Sequence, residues 1–432
     1  MILLTGASGL VGQSIQADNI IRVSSKDADL RDFSQVCRLF ESHPEITGVI
    51  HLAANVGGLF KNMREPVEMF EDNVMMNLNI LRAAHKYNIN KVLCCLSTCI
   101  FPDKPPDYPI TPEMLHCGPP HESNEAYAYA KRVMEVHCRT YQREYNREYF
   151  CVVPTNIYGP KDNFSLQNGH VIPSLINKCF LAKKAGTDFV VAGDGTPLRQ
   201  FVFSGDLGKM IMKCYENPPK SPLVLCPPEA EYTIAHVANT IAVAMKFTGN
   251  IVFDNSRPNG QYRKTALSCD LLESYTSLEE GIQKTVDWFI DKNMFRKIEP
   301  KDYDNFLKLI SSFRPTYFTR KDFISYISRI PQGKEIIVME IGSKLVATVT
   351  VIYEEKLIFD ISTTVHIEDV CVLPEERKNG YGSMIIQKVI ERARKKGCRK
   401  LTLSAADDVS PFYTVNGFEK RGSTYSLLLK DS

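Results

Sequence analysis

The stretch LCCLSTCIFPDKPPDYP carries two reactive side chains, Ser97 and Cys99, where a short apolar run meets a set of prolines. Val92 to Leu96 reads as a buried strand and the prolines require loop, so Ser97 and Cys99 fall at a strand's carboxyl edge. In an open α/β sheet that edge is where ligands bind, and residues two apart in extended chain point to one side. Further on, NEAYAYAKRVM places Tyr127 and Lys131 on one helix face. A hydroxyl, a phenol and an ammonium suit reduction of a carbonyl. Ser97 orients the ketone, Tyr127 gives the proton as hydride arrives, and Lys131 favours the phenol's anion and can hold a ribose. Tyr and Lys one turn apart, taken alone, are common on helix surfaces.

The chain opens with ILLTGASGLVGQ, in which Gly6, Gly9 and Gly12 follow a strand at what reads as a helix start. This spacing lets backbone approach a pyrophosphate, which unpaired N–H groups and the helix dipole attract. Ser8, Leu10 and Val11 in the same loop, and Ala53, belong to the same cofactor assignment. The second strand runs into Ser24-Ser25-Lys26, where an NAD binder usually offers a carboxylate to the ribose. Ser25 and Lys26 suit a 2′-phosphate, and so NADP; a solvated loop lysine is the competing reading.

Elements must position these groups. ILLTG, IIRVSS, GVIHLAA, KVLCCLST and YFCVVPTNIYG are apolar runs separated by helix-length stretches, the rhythm of a parallel sheet with helices on both faces. From residue 161 the pattern turns irregular and suits a small substrate lobe, mainly 161–290, closed by SLEEGIQKTVDWFIDK with the only tryptophan, Trp288. Near Met294 the grammar restarts. FRKIEPKDYDNFLKLI reads as strand then helix, KEIIVMEIGSKLVATVTVIYE as a hairpin turning at 341–343, and VHIEDVCVLP as a strand. The helix GSMIIQKVIERARKKG and the strands KLTLSA and TYSLLLK follow. The expected fold is α/β: a Rossmann-type doubly wound parallel sheet with a small lobe over 1–294, then an α+β domain over 295–432.

Across 432 residues the net charge is +2, which gives no reason to expect nucleic acid or a membrane as partner. No apolar run reaches the roughly 20 residues of a membrane helix, and the first strand leaves no room for a signal peptide, so a cytoplasmic protein is expected. The 13 cysteines are an odd number without a CxxC pair and read as reduced thiols, most of them small buried side chains. No metal is expected.

Gly6 to Gly12, SSKDADLRD, HLAANVGGLFKN, CLSTCIFPDK, NEAYAYAKR, VVPTNIYGPKDNF, NGHVIPSLI and GTPLRQF, in this order over 1–292, resemble the GDP-L-fucose synthase family of extended short-chain dehydrogenases. The resemblance implies 3,5-epimerisation and NADPH-dependent 4-reduction of GDP-4-keto-6-deoxy-D-mannose. It implies Cys99 and His170 as base and acid of the epimerisations, and Asn156, His170, Lys178, Arg199 and Lys264 on the nucleotide-sugar side. The chemistry agrees, because a C4 ketone acidifies the hydrogens on C3 and C5. It also implies a homodimer formed through helices such as the one carrying Tyr127. In one departure, the family's VVWGxGxPxR is here VVAGDGTPLR with Ala192, which leaves a different nucleotide-linked 4-keto-6-deoxy sugar as the alternative.

VHIEDVCVLPEERKNGYGSMI holds Arg377, Gly380 and Gly382 as RxxGxG between a strand and a helix. With KLTLSA and PFYTVNGF it resembles the acyl-CoA loop of GNAT acetyltransferases, where backbone N–H groups hold the CoA pyrophosphate. Val370 and Val372 belong to the same acetyl-CoA assignment. HIEDV resembles glucosamine-6-phosphate N-acetyltransferase, which implies that Glu368 and Asp369 contact an amino-sugar acceptor. Tyr413 matches the tyrosine that protonates the departing CoA thiolate; a core aromatic is its competing reading. That family has a carboxylate nine residues before this tyrosine, and here the position is Ser404. The basic run Arg392 to Lys400 reads as a solvated helix face. A non-catalytic CoA-binding or assembly module is the remaining alternative for this domain.

Overall fold

The computed structural model describes the chain except residues 220–221, 229–230, 258–261, 342–343, 358–360 and 421–432, and describes Leu59 and Phe60 by backbone alone. The chain divides into two compact units, Met1–Phe289 and Ile290–Ser432. The expected final strand TYSLLLK and the tip of the hairpin at 342–343 lie outside the described residues.

In the first unit the strands are β1 (Ile2–Thr5), β2 (Ile20–Val23), β3 (Gly48–His51), β4 (Lys91–Cys95), β5 (Glu148–Pro154), β6 (Asn156–Tyr158), β7 (Phe189–Ala192), β8 (Leu198–Phe203), β9 (Leu223–Leu225), β10 (Glu231–Thr233) and β11 (Ile251–Asp254). Six of them form a parallel sheet in the order β2-β1-β3-β4-β5-β9. Side-chain alternation divides each strand between two cores. Leu3, Val49, Val92, Cys94, Tyr149 and Cys151 join the core of Phe33–Ser42, Pro66–Lys86 and Glu125–Tyr145. Leu4, Ile50, Leu93, Phe150 and Val152 join that of Ser204–Glu216. A sheet covered on both faces produces strands that read as unbroken apolar runs. The order reverses between β1 and β3, which opens a crevice at their carboxyl ends. The lobe is built on β10-β8-β6 and on β11-β7.

One element departs from expectation. The glycine loop leads into a single 3-10 turn, Gly12–Ser14, not a helix. A parallel β2 must start at the far edge of the sheet, about 13 Å back for a four-residue strand. Ile15 to Asn19 wound as helix would rise only about 7.5 Å, so the chain returns extended.

In the second unit the strands β12 (Phe295–Lys297), β13 (Lys334–Ile341), β14 (Lys344–Lys356), β15 (Ser362–Val372) and β16 (Lys400–Leu403) pair in that order, antiparallel except for β15 with β16. One face packs Ile337, Met339, Val351 and Ile367 against Ile385, Ile386 and Val389 of the helix Tyr381–Lys395. The other packs Ile336 and Val338 against the helices Tyr303–Ser311 and Arg320–Ser328. Arg320–Ser328 was not anticipated, although Thr319 and Asp322 cap it reciprocally and spell the signal. Among the described residues no helix is long and apolar enough to cross a membrane, and no group of three or more His, Cys, Asp or Glu is placed to hold a metal ion. The cysteines are free thiols, most of them buried.

Candidate active sites

The glycine loop is folded as tightly as its residues permit. Gly6 has φ +68°, and a Cβ there would stand 2.7 Å from Ala53 N; one on Gly12 would stand 2.4 Å from Gly6 O. Only bare backbone can line this cradle, which is what close approach of a pyrophosphate requires. Ser8 is exposed, and Leu10 and Val11 are half-buried. A buried network that sequence reasoning missed holds the cradle from below. Thr5 Oγ1 meets His51 Nδ1 at 2.7 Å, His51 Nε2 meets Asn77 Oδ1 at 3.0 Å, and Ala53 N donates to Thr5 Oγ1 at 3.3 Å. Burial pushes the His51 imidazole down and so keeps it neutral. The available signal was a polar residue ending each of two apolar strands. After β2, Ser25 and Lys26 are exposed. An acidic residue follows, but both the backbone N and Oγ of Ser24 donate to Asp27 Oδ2 at 2.8 Å, which occupies that carboxylate within its own turn.

Ser97 caps a 3-10 turn, Thr98–Ile100, that turns Cys99 inward; Cys99 N donates to Ser97 Oγ at 3.4 Å. Lys131 Nζ donates to Cys95 O at 2.9 Å and stands 5.8 Å from the centre of the Tyr127 ring. The expectation that this ammonium draws the phenol down is corrected here. Burial pushes Tyr127 well above its ordinary value, with the Cys99 and Cys95 thiols adding to the rise. Lys131 itself is pushed down by burial, and its charge is turned to the Cys95 carbonyl. A phenol that keeps its proton is a loaded donor, so the geometry still serves carbonyl reduction.

Burial also raises the Cys99 thiol, and the largest opposing influence is the Lys264 ammonium, followed by Ser97 and Lys131. Lys264 arrives through the proline loop. Ile110 N donates to Thr265 O at 2.7 Å, Leu267 N to Ile110 O at 2.9 Å, and Gln200 exchanges two bonds with the Ala266 backbone, at 2.9 and 2.8 Å. Burial lowers Lys264, and neighbouring Arg199 lowers it further. Ser97, Cys99, Tyr127, Lys131, Lys264 and Arg199 thus share one neighbourhood. A cavity of about 330 Å³ beside it is lined by Tyr108, Gln200, Glu231, Arg263 and Thr265.

His170 lies on a separate segment. It is the N-cap of Val171–Ala185, and burial alone pushes its imidazole down. Among the described residues no hydrogen bond joins it to Cys99; the cation beside the thiol is Lys264. Its loop is held by Gly58 N donating to Asn168 O at 3.2 Å and by Phe164 stacked 5.7 Å from Trp288. Asn156 Nδ2 donates to Gln200 O at 2.7 Å, which ties that amide to β8. Lys178 is lowered by burial with Arg257 nearby, and Ala192 is exposed at the end of β7.

In the second unit β15 pairs with β16 only from Thr364 to Ile367. Beyond Leu403 the segment Glu368–Val372 runs on without that partner, with a register shift against β14 and Asp369 at φ +50°. The edge of β15 at Val370 and Val372 therefore has no paired strand on the β16 side. Gly380, at φ +81°, starts the helix Tyr381–Lys395, and a Cβ on Gly382 would stand 3.2 Å from the Phe412 ring. Arg377 Nε donates to Val372 O at 3.3 Å. A turn with bare N–H groups therefore adjoins an open strand edge, which fits the pyrophosphate and pantetheine arm of CoA. Glu368, Asp369 and Ser404 are exposed, and burial raises the half-buried Tyr413. In the basic run, Arg392 and Lys396 pair with Glu335, a structural use.

Residues 2–225 match the model of the NAD dependent epimerase/dehydratase family, and residues 302–418 that of the acetyltransferase (GNAT) family. The chain is an enzyme that belongs to the NAD dependent epimerase/dehydratase family and carries a GNAT acetyltransferase domain behind it. Its front region is GDP-L-fucose synthase-like. It is 45% identical to the GDP-L-fucose synthase of Dictyostelium discoideum over 306 residues, 67% of this chain and 95% of that one. It is 34% identical to the GDP-L-colitose synthase of Yersinia pseudotuberculosis over 304 residues, 67% and 98% of the two chains. A crystal structure of a GDP-L-fucose synthetase from Naegleria fowleri bound to NADP is 43% identical, with a TM-score of 0.61 over 70% of this chain and 93% of that one.

Proposed function

We propose that the front unit epimerises C3 and C5 of GDP-4-keto-6-deoxy-D-mannose and reduces C4 to give GDP-L-fucose, and that the rear unit acetylates the amine of an amino sugar. The front reading rests on the gathering of Ser97, Cys99, Tyr127 and Lys131 at the end of β4, with Lys264 and Arg199 beside the thiol, in a chain close to a GDP-L-fucose synthase. The glycine cradle and the exposed Ser25 and Lys26 fit NADP, which when bound supplies hydride to C4. Cys99, as the thiolate that Lys264 favours, removes the protons on C3 and C5, and His170 returns protons on the opposite face. Ser97 holds the C4 oxygen, Tyr127 protonates it, and Lys131 holds the ribose. Asn156, Lys178, Arg199 and Lys264 hold the nucleotide sugar, with the cations meeting its diphosphate. Acetyl-CoA, when bound on Val370, Val372, Arg377, Gly380 and Gly382, supplies the acetyl group. Glu368 and Asp369 hold the amine, and Tyr413 protonates the departing thiolate. The exposed apolar Val67, Phe70, Val133 and Val136, on two adjacent helices, support a homodimer.

Oxidation of NADPH by the purified protein with GDP-4-keto-6-deoxymannose, with the product read by NMR in heavy water, tests the front reading. GDP-L-fucose labelled at C3 and C5 is expected; bound NADPH without turnover rejects it. Cys99→Ser should suppress C3 and C5 exchange by about 100-fold or more while leaving some ketone reduction, and Tyr127→Phe should do the reverse. Equal loss of both activities in Cys99→Ser would make the cysteine structural. A panel of amines with acetyl-CoA, run on wild type and Tyr413→Phe, tests the rear unit. The second reading, another nucleotide-linked 4-keto sugar, is favoured by exposed Ala192 in place of the family's tryptophan.

A further inference from the structure

Three strands of the second unit carry a hydrogen-bonded set that neither the CoA turn nor Tyr413 uses. His366 Nε2 meets Glu354 Oε2 at 2.7 Å and His366 Nδ1 meets Thr402 Oγ1 at 3.1 Å, so a carboxylate, an imidazole and a hydroxyl follow one another across β14, β15 and β16. Thr402 Oγ1 also lies 3.4 Å from Val365 O, the longer of these two contacts. Alternation puts the set on one face. Tyr353, Val365, Ile367, Leu401 and Leu403 turn to the core of the helix Tyr381–Lys395, so Glu354, His366 and Thr402 turn to the other side of the sheet. The side chains of His366 and Glu354 are 36% and 48% exposed, and Thr402 is half-buried, so a solute can reach all three.

Strand register ties the set to the CoA edge. His366 pairs with Thr402 one step before the last pair, Ile367 with Leu403, beyond which β15 continues without β16 to Val370 and Val372. Glu368 follows His366 by two residues, and Ser404, which brings no carboxylate, follows Thr402 by two. Other charges border this face. Lys356 pairs with Glu354 at 2.9 Å, and Lys334, in register with Ile352 and through it with His366, donates to Tyr326 Oη at 3.1 Å and is favoured as ammonium by Glu368 and Asp369. An acceptor amine that arrives as ammonium has no lone pair, so it must lose a proton before it can attack a thioester. With Nε2–H donated to Glu354, the Nδ1 lone pair accepts from the Thr402 hydroxyl. We propose that Thr402 takes a proton from the acceptor's ammonium while its own proton passes to His366 Nδ1, and that Glu354 holds the imidazolium so formed. The freed amine then forms the C–N bond to the acetyl carbon, and the C–S bond breaks with its electron pair on sulfur. Tyr413 protonates that sulfur and regains a proton from the amide nitrogen, and His366 releases its own to water. This rests on the acetyl-transfer reading of the rear unit.

The test follows release of the CoA thiol from acetyl-CoA, above the uncatalysed rate, by the full chain with two amines in mildly acid buffer. There D-glucosamine is nearly all ammonium, whereas hydroxylamine is in good part free amine. His366→Gln and Thr402→Val should lose about tenfold or more of kcat/KM with D-glucosamine and little with hydroxylamine, and Thr402→Ser should keep the wild-type rates. The D-glucosamine loss should shrink as pH rises and the amine deprotonates in solution. A thermal shift with acetyl-CoA equal to that of wild type shows that a variant is folded, and where one variant loses that shift the other decides. Equal losses on both amines, no loss, or a loss that pH does not change would overturn the proposal and leave the set as a tie between strands. Wild-type turnover of hydroxylamine alone would also overturn it, since no ammonium is then activated. Wild type inactive on both amines would instead remove the acetyl-transfer reading itself, and this proposal with it.

Discussion

At Cys99 two influences oppose each other, since burial holds the proton on and the Lys264 ammonium favours its release. Removing the cation should raise the thiol further, so in Lys264→Met the ascending limb of C3 and C5 exchange, which follows ionisation of the thiol, should move up by about one pH unit. A pH profile measured in heavy water decides this, and an unmoved limb would separate Lys264 from the thiol. Asp162 poses a different problem: burial pushes its carboxyl up to about 7, one oxygen accepts from Asn163 N at 2.7 Å, and Oδ2 is buried without a partner. A folded-state value above the unfolded one stabilises the protonated form, a contribution that is complete below about pH 4 and is lost as pH rises through 7. Asp162→Asn should therefore raise the melting temperature by a few degrees at pH 8 and leave it unchanged at pH 4. A gain of equal size at both pH values would refute the buried charge as its cause.

Elements act here mainly by holding loops. The helix Leu278–Met294 presents Trp288 to Phe164, and Phe289 to Phe164 and Phe180 at 4.6 and 5.4 Å, which pins the segment leading to His170. Trp288→Ala should cost about 2 kcal/mol of stability and reduce epimerisation more than NADPH affinity. Calorimetry and NADPH titration read the two effects, and a parallel loss of both would show a general loosening. Much of this scale was legible in the chain. The alternation of β1, β3, β4 and β5 between two cores made them continuous apolar runs, and YxxxK set Tyr127 and Lys131 on one face. The 3-10 turn at Gly12–Ser14 was not legible from the glycines, because its form depends on how far the chain must travel to reach β2. The Thr319 capping box is written in the chain, but the helix it starts has Phe323 as its buried residue, too little apolar periodicity to mark a helix.

At the scale of the molecule, each of the two units carries a glycine turn with the same physics, bare N–H groups freed by glycine, which is the arrangement proposed above to hold a nucleotide. If each turn serves its own ligand, Gly12→Ala in the full chain should abolish the thermal shift caused by NADPH, because its Cβ would meet Gly6 O at 2.4 Å. The shift caused by acetyl-CoA should survive unchanged. Loss of both shifts would show that the variant misfolds or that the two ligands are coupled.

The sequence by itself determined what is local: the order of strands and helices, the glycines of the two turns, and the strand edge ahead of Ser97, though not the 3-10 turn that replaces the expected extended chain at Cys99. Each depends on residues a few positions apart, whose spacing dictates backbone geometry directly. Only the tertiary structure brought Lys264 beside Cys99 and buried Tyr127 so that its phenol is pushed up. The first follows from pairing of the proline loop with Thr265 to Leu267, a contact between distant segments that no local pattern encodes. The second follows from desolvation, which is set by everything packed around a group and not by its neighbours in the chain.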